Sequence, residues 1–358
     1  MARVLPLRLA GALASIALLI SAAGCGSGSS TTSAEPAGTG QATGQSTQGA
    51  ASAFPVTIAH KYASTTIKAA PKRIVTVGLT DQDALLALGV VPVATTEWFG
   101  GYPGAVGPWA KEELGSAAVP EVLKDTGGGP QFEKIAALRP DLILGLYSGL
   151  TQEQYDTLSK IAPTVAQPKE YSDFGIPWQE LTRKAGQAVG KAEEADRLVA
   201  ELDARIAADV AAHPEFKGAS GLMATPYEGY FVFGSEDPRS RLLTSLGFAL
   251  PADLDNVIGD KFGASISRER LDLLDTDVIV WSVANAETER AKLHADKVYA
   301  DLGVVKEGRE VIIAEGTAYG NAVSFVSVLS LPYLLDRLVP QLADAVDGDP
   351  ATEVKPAQ

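Results

Sequence analysis

From Phe54 onward, short apolar runs alternate with stretches of helical spacing. Ile74, Val75 and Val77 in "KRIVTVGLT" read as a buried strand, and "DQDALLALGV" reads as a helix stopped at Gly89. "VPVATT" is the next strand, followed by a loop holding Trp98, Phe99, Tyr102 and Trp109. A helix from Phe132 to Leu138, a strand from Asp141 to Leu144, a helix from Tyr155 to Ile161 and a strand from Thr164 to Gln167 complete this half. Strands that alternate with helices predict a mainly parallel sheet covered on both faces.

The middle of the chain has no strand signal. Between Pro177 and His213 it is rich in Ala, Glu, Leu and Arg, with Leu181, Ala185, Ala188 and Val189 on one face. Ala195, Leu198, Val199, Leu202 and Ile206 continue such a face. The pattern predicts one long helix, with a candidate break near Gly190 and an end at Pro214. Alternation then resumes. "SGLMAT" and "YFVFG" read as a strand pair, "SRLLTSLGF" as a helix, "REVIIAEG" as a strand and "SVLSLPYLLDRLVPQLADAV" as a closing helix.

One unit occurs twice. "FEKIAALRPDLILG" from Phe132 and "RERLDLLDTDVIVW" from Arg268 align without a gap at an offset of 136 residues. Glu133 falls on Glu269, Ile135 on Leu271, Asp141 on Asp277 and Leu142 on Val278. Two similar α/β lobes flanking one long helix explain that repeat.

Composition narrows the function. The 358 residues carry a formal charge of −14, which argues against nucleic acid, whose phosphates require an excess of Lys and Arg. One cysteine excludes an internal disulfide, and three histidines leave little for a Cys/His zinc site. Neither a nucleophile elbow nor a phosphate-binding loop is found; "TGGGP" at Thr126 lacks the lysine of a nucleotide loop. Arg3 and Arg8 precede an apolar stretch from Leu9 to Ala23, then "SAAGC". This resembles a bacterial lipoprotein signal cleaved before Cys25, with diacylglycerol on its sulfur, although Ala22 stands where Leu is commoner. Gly26 to Ala53 is a Gly/Ser/Thr-rich tether without core-forming residues.

"PKRIVTVGLTDQDALLALGVVPVA", "FEKIAALRPDLILG", "LSKIAPTV" and "SLPYLLDRLVPQL" together resemble the substrate-binding proteins of ABC importers for iron siderophores, haem and cobalamin. The resemblance spans about Phe54 to Val346. It is nearest to the lipid-anchored ferric-siderophore binders of Gram-positive actinobacteria. It implies two Rossmann-like lobes joined by one long rigid helix, no enzymatic activity, no catalytic residues and no cofactor. The expected organisation is a signal peptide over 1–24, a tether over 25–53, lobes over 54–176 and 214–346, a linking helix over 177–213 and a disordered tail over 347–358. The expected protein is a monomer, lipid-anchored on the extracytoplasmic face of the cell membrane. Its implied partners are a ferric siderophore and a two-subunit permease with its ATPase. In this family one glutamate per lobe pairs with permease arginines, and Glu133 and Glu269 match those positions. A carboxylate in the first turn of a helix also favours its own helix start.

Ligands of open α/β sheets bind beyond the carboxyl ends of strands. The candidates in the first lobe are therefore Trp98, Tyr102, Trp109 and Tyr147. In the second they are Tyr227, Arg239, Arg241, Trp281 and Tyr319, with Tyr230 near Tyr227. Only one of Arg239 and Arg241 need face the cleft. Iron would arrive already chelated, so no direct metal ligand is expected. Aromatics outnumber positive charges in these loops, which favours a hydroxamate over a catecholate chelate. Haem and cobalamin are the alternatives within transport; a cell-envelope enzyme or interaction protein is the alternative outside it.

Overall fold

A computed structural model describes residues 53–98, 100–124, 129–259 and 261–357. The signal segment, Cys25, the tether up to residue 52, Phe99 and the Thr126–Gly128 part of "TGGGP" lie outside the described residues.

The first lobe is a five-stranded parallel sheet. Its strands are β3 (Ile74–Thr76), β4 (Ala94–Thr96), β5 (Glu121–Leu123), β6 (Leu142–Gly145) and β7 (Thr164–Ala166), in the order β5-β4-β3-β6-β7. Ahead of them a small antiparallel pair, β1 (Val56–Ala59) and β2 (Ser64–Ile67), forms a separate two-stranded sheet. The second lobe contains β8 (Gly221–Thr225), β9 (Tyr230–Phe233), β10 (Gly263–Ile266), β11 (Val278–Val283) and β12 (Glu310–Ala314). Their order is β10-β9-β8-β11-β12, with β8, β11 and β12 parallel and the other two pairings antiparallel.

The repeated unit has a structural meaning. Asp141, just before β6, accepts the backbone N–H groups of Lys72 and Arg73, both at 2.8 Å, just before β3. Asp277, just before β11, accepts the N–H of Ser220 at 2.7 Å, just before β8. Each aspartate thus fixes the start of its own strand to the start of the parallel neighbour. Ile135 and Leu271 are buried in their respective lobes. The helices differ: Phe132–Ala137 is α-helical, whereas Arg268–Leu274 is a 3₁₀ segment kinked at Arg270.

The single long helix is corrected to two helices, Trp178–Ala188 and Ala192–Ala212. Gly190, at φ +73°, turns the chain between them. They pack side by side: Arg183 pairs with Asp196 at 3.0 Å, and Gln179 donates to Asp203 at 3.2 Å. Gly186 permits this approach, because a Cβ there would lie 2.4 Å from that of Ala195. The first helix belongs to the first lobe through Leu181, Ala185 and Ala188. The second, 21 residues and about 30 Å long, makes the link. Its Ala195 lies in the first lobe's core, Leu202 and Ile206 lie in the second's, and Leu198 packs against both.

The tail over 347–357 forms no helix or strand but touches the second lobe. Val354 packs against the second lobe's core, and Gln341 donates to the Lys355 carbonyl at 2.7 Å. Among the described residues no helix is long and apolar enough to cross a membrane.

Candidate functional site

A cavity of about 610 Å³ opens where the strand ends of the two lobes meet. Leu79 follows β3, and Tyr147 follows β6; with Phe174 they form the first lobe's wall. The second lobe supplies Asp237 and Arg239 after β9, Ala284 after β11 and Glu315 after β12. Phe262, Asn321, Ser324 and Phe325 complete that side.

Tyr147 is 6 % exposed, and its hydroxyl has no hydrogen-bond partner among the described residues. Burial, with the Asp237 carboxylate nearby, raises its pKa well above the ordinary phenol value, so it faces the cavity as a neutral O–H. Its backbone is fixed from below. Asp81, fully buried, accepts the N–H groups of Leu146 at 2.7 Å and Tyr147 at 3.0 Å. Desolvation pushes Asp81 up to about 6, against the pull of those two bonds.

Arg239 lies 3.7 Å above the Phe233 ring and meets Asp237 through two bonds, Nε to Oδ1 at 2.8 Å and Nη2 to Oδ2 at 2.7 Å. Burial opposes its charge, but the carboxylate outweighs burial and holds the guanidinium pKa above its ordinary value. Asp237 also accepts the Arg239 N–H at 2.9 Å, capping the helix Pro238–Ser245. Of the two arginines, Arg239 therefore faces the cavity. Arg241 turns aside to pair with Glu236 at 2.5 Å and to donate to the Gly175 carbonyl of the first lobe.

The aromatic loop has a different place from the one expected. Trp98 is 7 % exposed, donates to the Ala105 carbonyl at 2.8 Å and meets the Phe325 ring edge-on at 5.1 Å. The Tyr102 hydroxyl accepts from Asn321 at 3.1 Å. Trp109 donates to Asp83 at 2.8 Å and packs beside Tyr333. These side chains fill the seam behind the cavity wall rather than line it: a Gly/Pro-rich loop does have a core to fill where two lobes meet. Asp83, 2 % exposed, joins the seam by accepting from Ser327 at 2.5 Å. Burial pushes its carboxyl up to about 6, its neutral partners offsetting only part of the shift.

Three other candidates are not brought to the cavity. Trp281 lies inside β11, fully buried. Strand alternation puts Ile279, Trp281 and Val283 on the outer face, where Trp281 donates to the Tyr299 hydroxyl at 2.8 Å. Tyr319 shares a helix with Asn321, but two residues apart is a rotation of about 200°, which turns it away. Its hydroxyl donates to Gln341 at 2.7 Å, beside tail residues Pro356 and Ala357. Tyr227 is 61 % exposed and outside the cavity lining, whereas Tyr230 is buried with its hydroxyl on Asp296 at 3.0 Å. Glu133 and Glu269 are both exposed, each in the first turn of its helix, with no ion-pair partner among the described residues.

Sequence reasoning missed Phe174, Asp237, Glu315, Asn321 and Phe325. Glu315 was within its reach, because it immediately follows β12, where the strand-end rule points. Asp237 needed the helix start at Pro238 to be read as capped.

Two α/β lobes with a ligand-sized cavity at their strand ends define a clamp-type binding protein. The chain belongs to the periplasmic binding protein family, whose model matches residues 74–315. It is thus a substrate-binding protein and not an enzyme. It is similar to a probable siderophore-binding lipoprotein, YfiY, of Bacillus subtilis, at 29% identity over 68% of this chain and 75% of the relative. A periplasmic solute binding protein from Mycobacterium smegmatis superposes with a TM-score of 0.70 at 37% identity, covering 81% of this chain and 98% of that one. PiaA of Streptococcus pneumoniae in complex with ferrichrome superposes at 0.71, with 28% identity over 81% of this chain and 98% of that one.

Proposed function

We propose that this protein captures a ferric siderophore of hydroxamate type between its lobes and delivers it to an ABC importer. The observation that carries the reading is the cavity of about 610 Å³, lined by Tyr147, whose hydroxyl has no partner among the described residues. That volume suits an organic chelate held by apolar walls and a few polar groups. The relative named as siderophore-binding and the ferrichrome-bound neighbour support the ligand class. The lining supports the hydroxamate type. Its described cation, Arg239, is already paired with Asp237, so a polyanionic catecholate complex would meet no free positive charge. A haem reading would use Tyr147 as a phenolate on iron. The raised pKa of that phenol favours hydrogen-bond donation instead.

In this reading Cys25 carries the lipid that anchors the protein outside the membrane, supported by the lipoprotein relative. Glu133 and Glu269, one per lobe, dock the loaded clamp on arginines of a two-subunit permease, whose planar forks suit carboxylates.

The test is a titration of the exported protein in mild detergent with ferric hydroxamate, ferric catecholate, haem and cobalamin, each beside its metal-free form. Trp98, edge-on to a cavity residue, provides the fluorescence signal. Saturable sub-micromolar quenching by the ferric hydroxamate alone is expected. A response only to haem or cobalamin, or to none of the four by calorimetry as well, would sink the reading.

A further inference from the structure

The charges of the cavity go beyond the exclusion of anions. Among the described residues its charged lining groups are Asp237, Arg239 and Glu315. The first two neutralise each other through paired hydrogen bonds of 2.8 and 2.7 Å, with Asp237 only 2 % exposed. Glu315 is different. One carboxylate oxygen accepts from the Ser282 hydroxyl at 3.0 Å, and the residue is exposed and lines the cavity. It forms no ion pair at contact distance among the described residues, although Arg239 feels its charge more weakly than that of Asp237. Two carboxylates thus share one guanidinium, and the described lining is net negative. The same cavity presents the rings of Tyr147, Phe174 and Phe262, whose faces also attract cations.

We propose that Glu315 is a specificity residue that recognises a cationic group on the ligand, so that a positively charged ferric complex is preferred over a neutral one of the same shape. This rests on the ferric-hydroxamate reading and deepens it. The iron centre of a tris-hydroxamate is neutral, so the recognised charge belongs to the periphery of the chelator, as a primary ammonium would. Glu315, exposed and lining the cavity, would meet that ammonium through a charge-assisted hydrogen bond. An exposed pair of this kind is worth about 1 kcal/mol, or about fivefold in affinity.

The test compares ferrioxamine B, a linear trihydroxamate complex with a terminal ammonium, with its N-acetylated neutral form. Both are titrated by calorimetry into the exported protein and its Glu315→Gln variant. The wild type is expected to bind the ammonium form about fivefold more tightly, with the preference shrinking as salt is raised. Glu315→Gln is expected to erase the preference by weakening the cationic complex alone. A thermal unfolding curve of the variant matching that of the wild type serves as the folding control. Equal affinity for the two forms in the wild type, or a preference that survives in the variant, overturns the inference and leaves the ligand class standing. Binding of neither form overturns the ligand class, and the inference with it.

Discussion

Where the first lobe has Gly145, the second has Trp281 at the same place in the repeated unit. A Cβ at Gly145 would lie 2.7 Å from Leu150, so that sheet face is closed by neighbours, whereas in the second lobe the indole itself fills the face beside Tyr230 and Tyr299. The divergence continues at the cavity. The first lobe presents Leu79, Tyr147 and Phe174, none of them charged. The second presents Asp237, Arg239 and Glu315. Their buried carboxylates differ in the same way. Asp81 and Asp83 accept only from backbone, indole and hydroxyl donors, while Asp237 faces a guanidinium. The two lobes thus share a repeated unit but differ at the cavity, where one side is uncharged and the other charged.

The largest effect expected joins the two lobes rather than separating them. Glu133→Ala with Glu269→Ala should reduce uptake of the ferric ligand to background in cells, while affinity measured on the purified protein stays unchanged. A collapse of affinity would move these residues from docking to the fold. Next comes the charged lobe. Arg239→Ala leaves Asp237 buried and unpaired, and should lower stability by about 3 kcal/mol in urea unfolding. Adding Asp237→Ala should recover roughly half of that, since the helix cap is lost as well, without restoring ligand affinity. A fully stable Arg239→Ala protein would show that the pair does not organise the second lobe.

The sequence revealed the repeat, the alternation of strands and helices in each half and the place of Tyr147 after β6, because these follow from periodicity and from where strands end, whereas the edge strands β5 and β10 gave no signal. It misread what depends on distant partners. A Gly at 190 inside a helical pattern is compatible with a break, but only Gly186 against Ala195 shows that the two helices fold back on each other. Trp281 looked like a loop residue because β11 continues through Val283, beyond the apolar run ending at Val280 that announced it. Trp98, Tyr102 and Trp109 looked like ligand contacts because the partner surface they fill, around Phe325 and Tyr333, lies more than two hundred residues away along the chain. Asp81 and Asp83 gave no signal at all: an acidic pair at a helix start is ordinary, and only burial makes it unusual.

The neutral-donor environment of the first lobe can be tested by pH. The Asp83 carboxyl titrates near 6 in the folded chain against 3.8 for the free group, so the folded state holds its proton more tightly. Its stabilising contribution is therefore complete below pH 3.8 and is lost as pH rises through 6. The stability gap between wild type and Asp83→Asn should be widest near pH 4 and should narrow by roughly 2 to 3 kcal/mol by pH 7. Thermal unfolding at the two pH values measures it. A gap independent of pH would mean that Asp83 keeps an ordinary pKa despite its burial.

The smallest effects separate two tyrosines that the sequence treated alike. Tyr147→Phe removes a hydroxyl that has no protein partner among the described residues, so the melting temperature should not move. The ligand would lose one hydrogen bond in a dry site, worth about 1.4 kcal/mol or tenfold in affinity. Tyr227→Ala removes a ring that is 61 % exposed and stands outside the cavity, so affinity should change by less than about twofold. If Tyr227→Ala proved as costly as Tyr147→Phe, the bound state would have to close the second lobe over that ring. The second lobe's contribution to the cavity would then extend beyond its present lining.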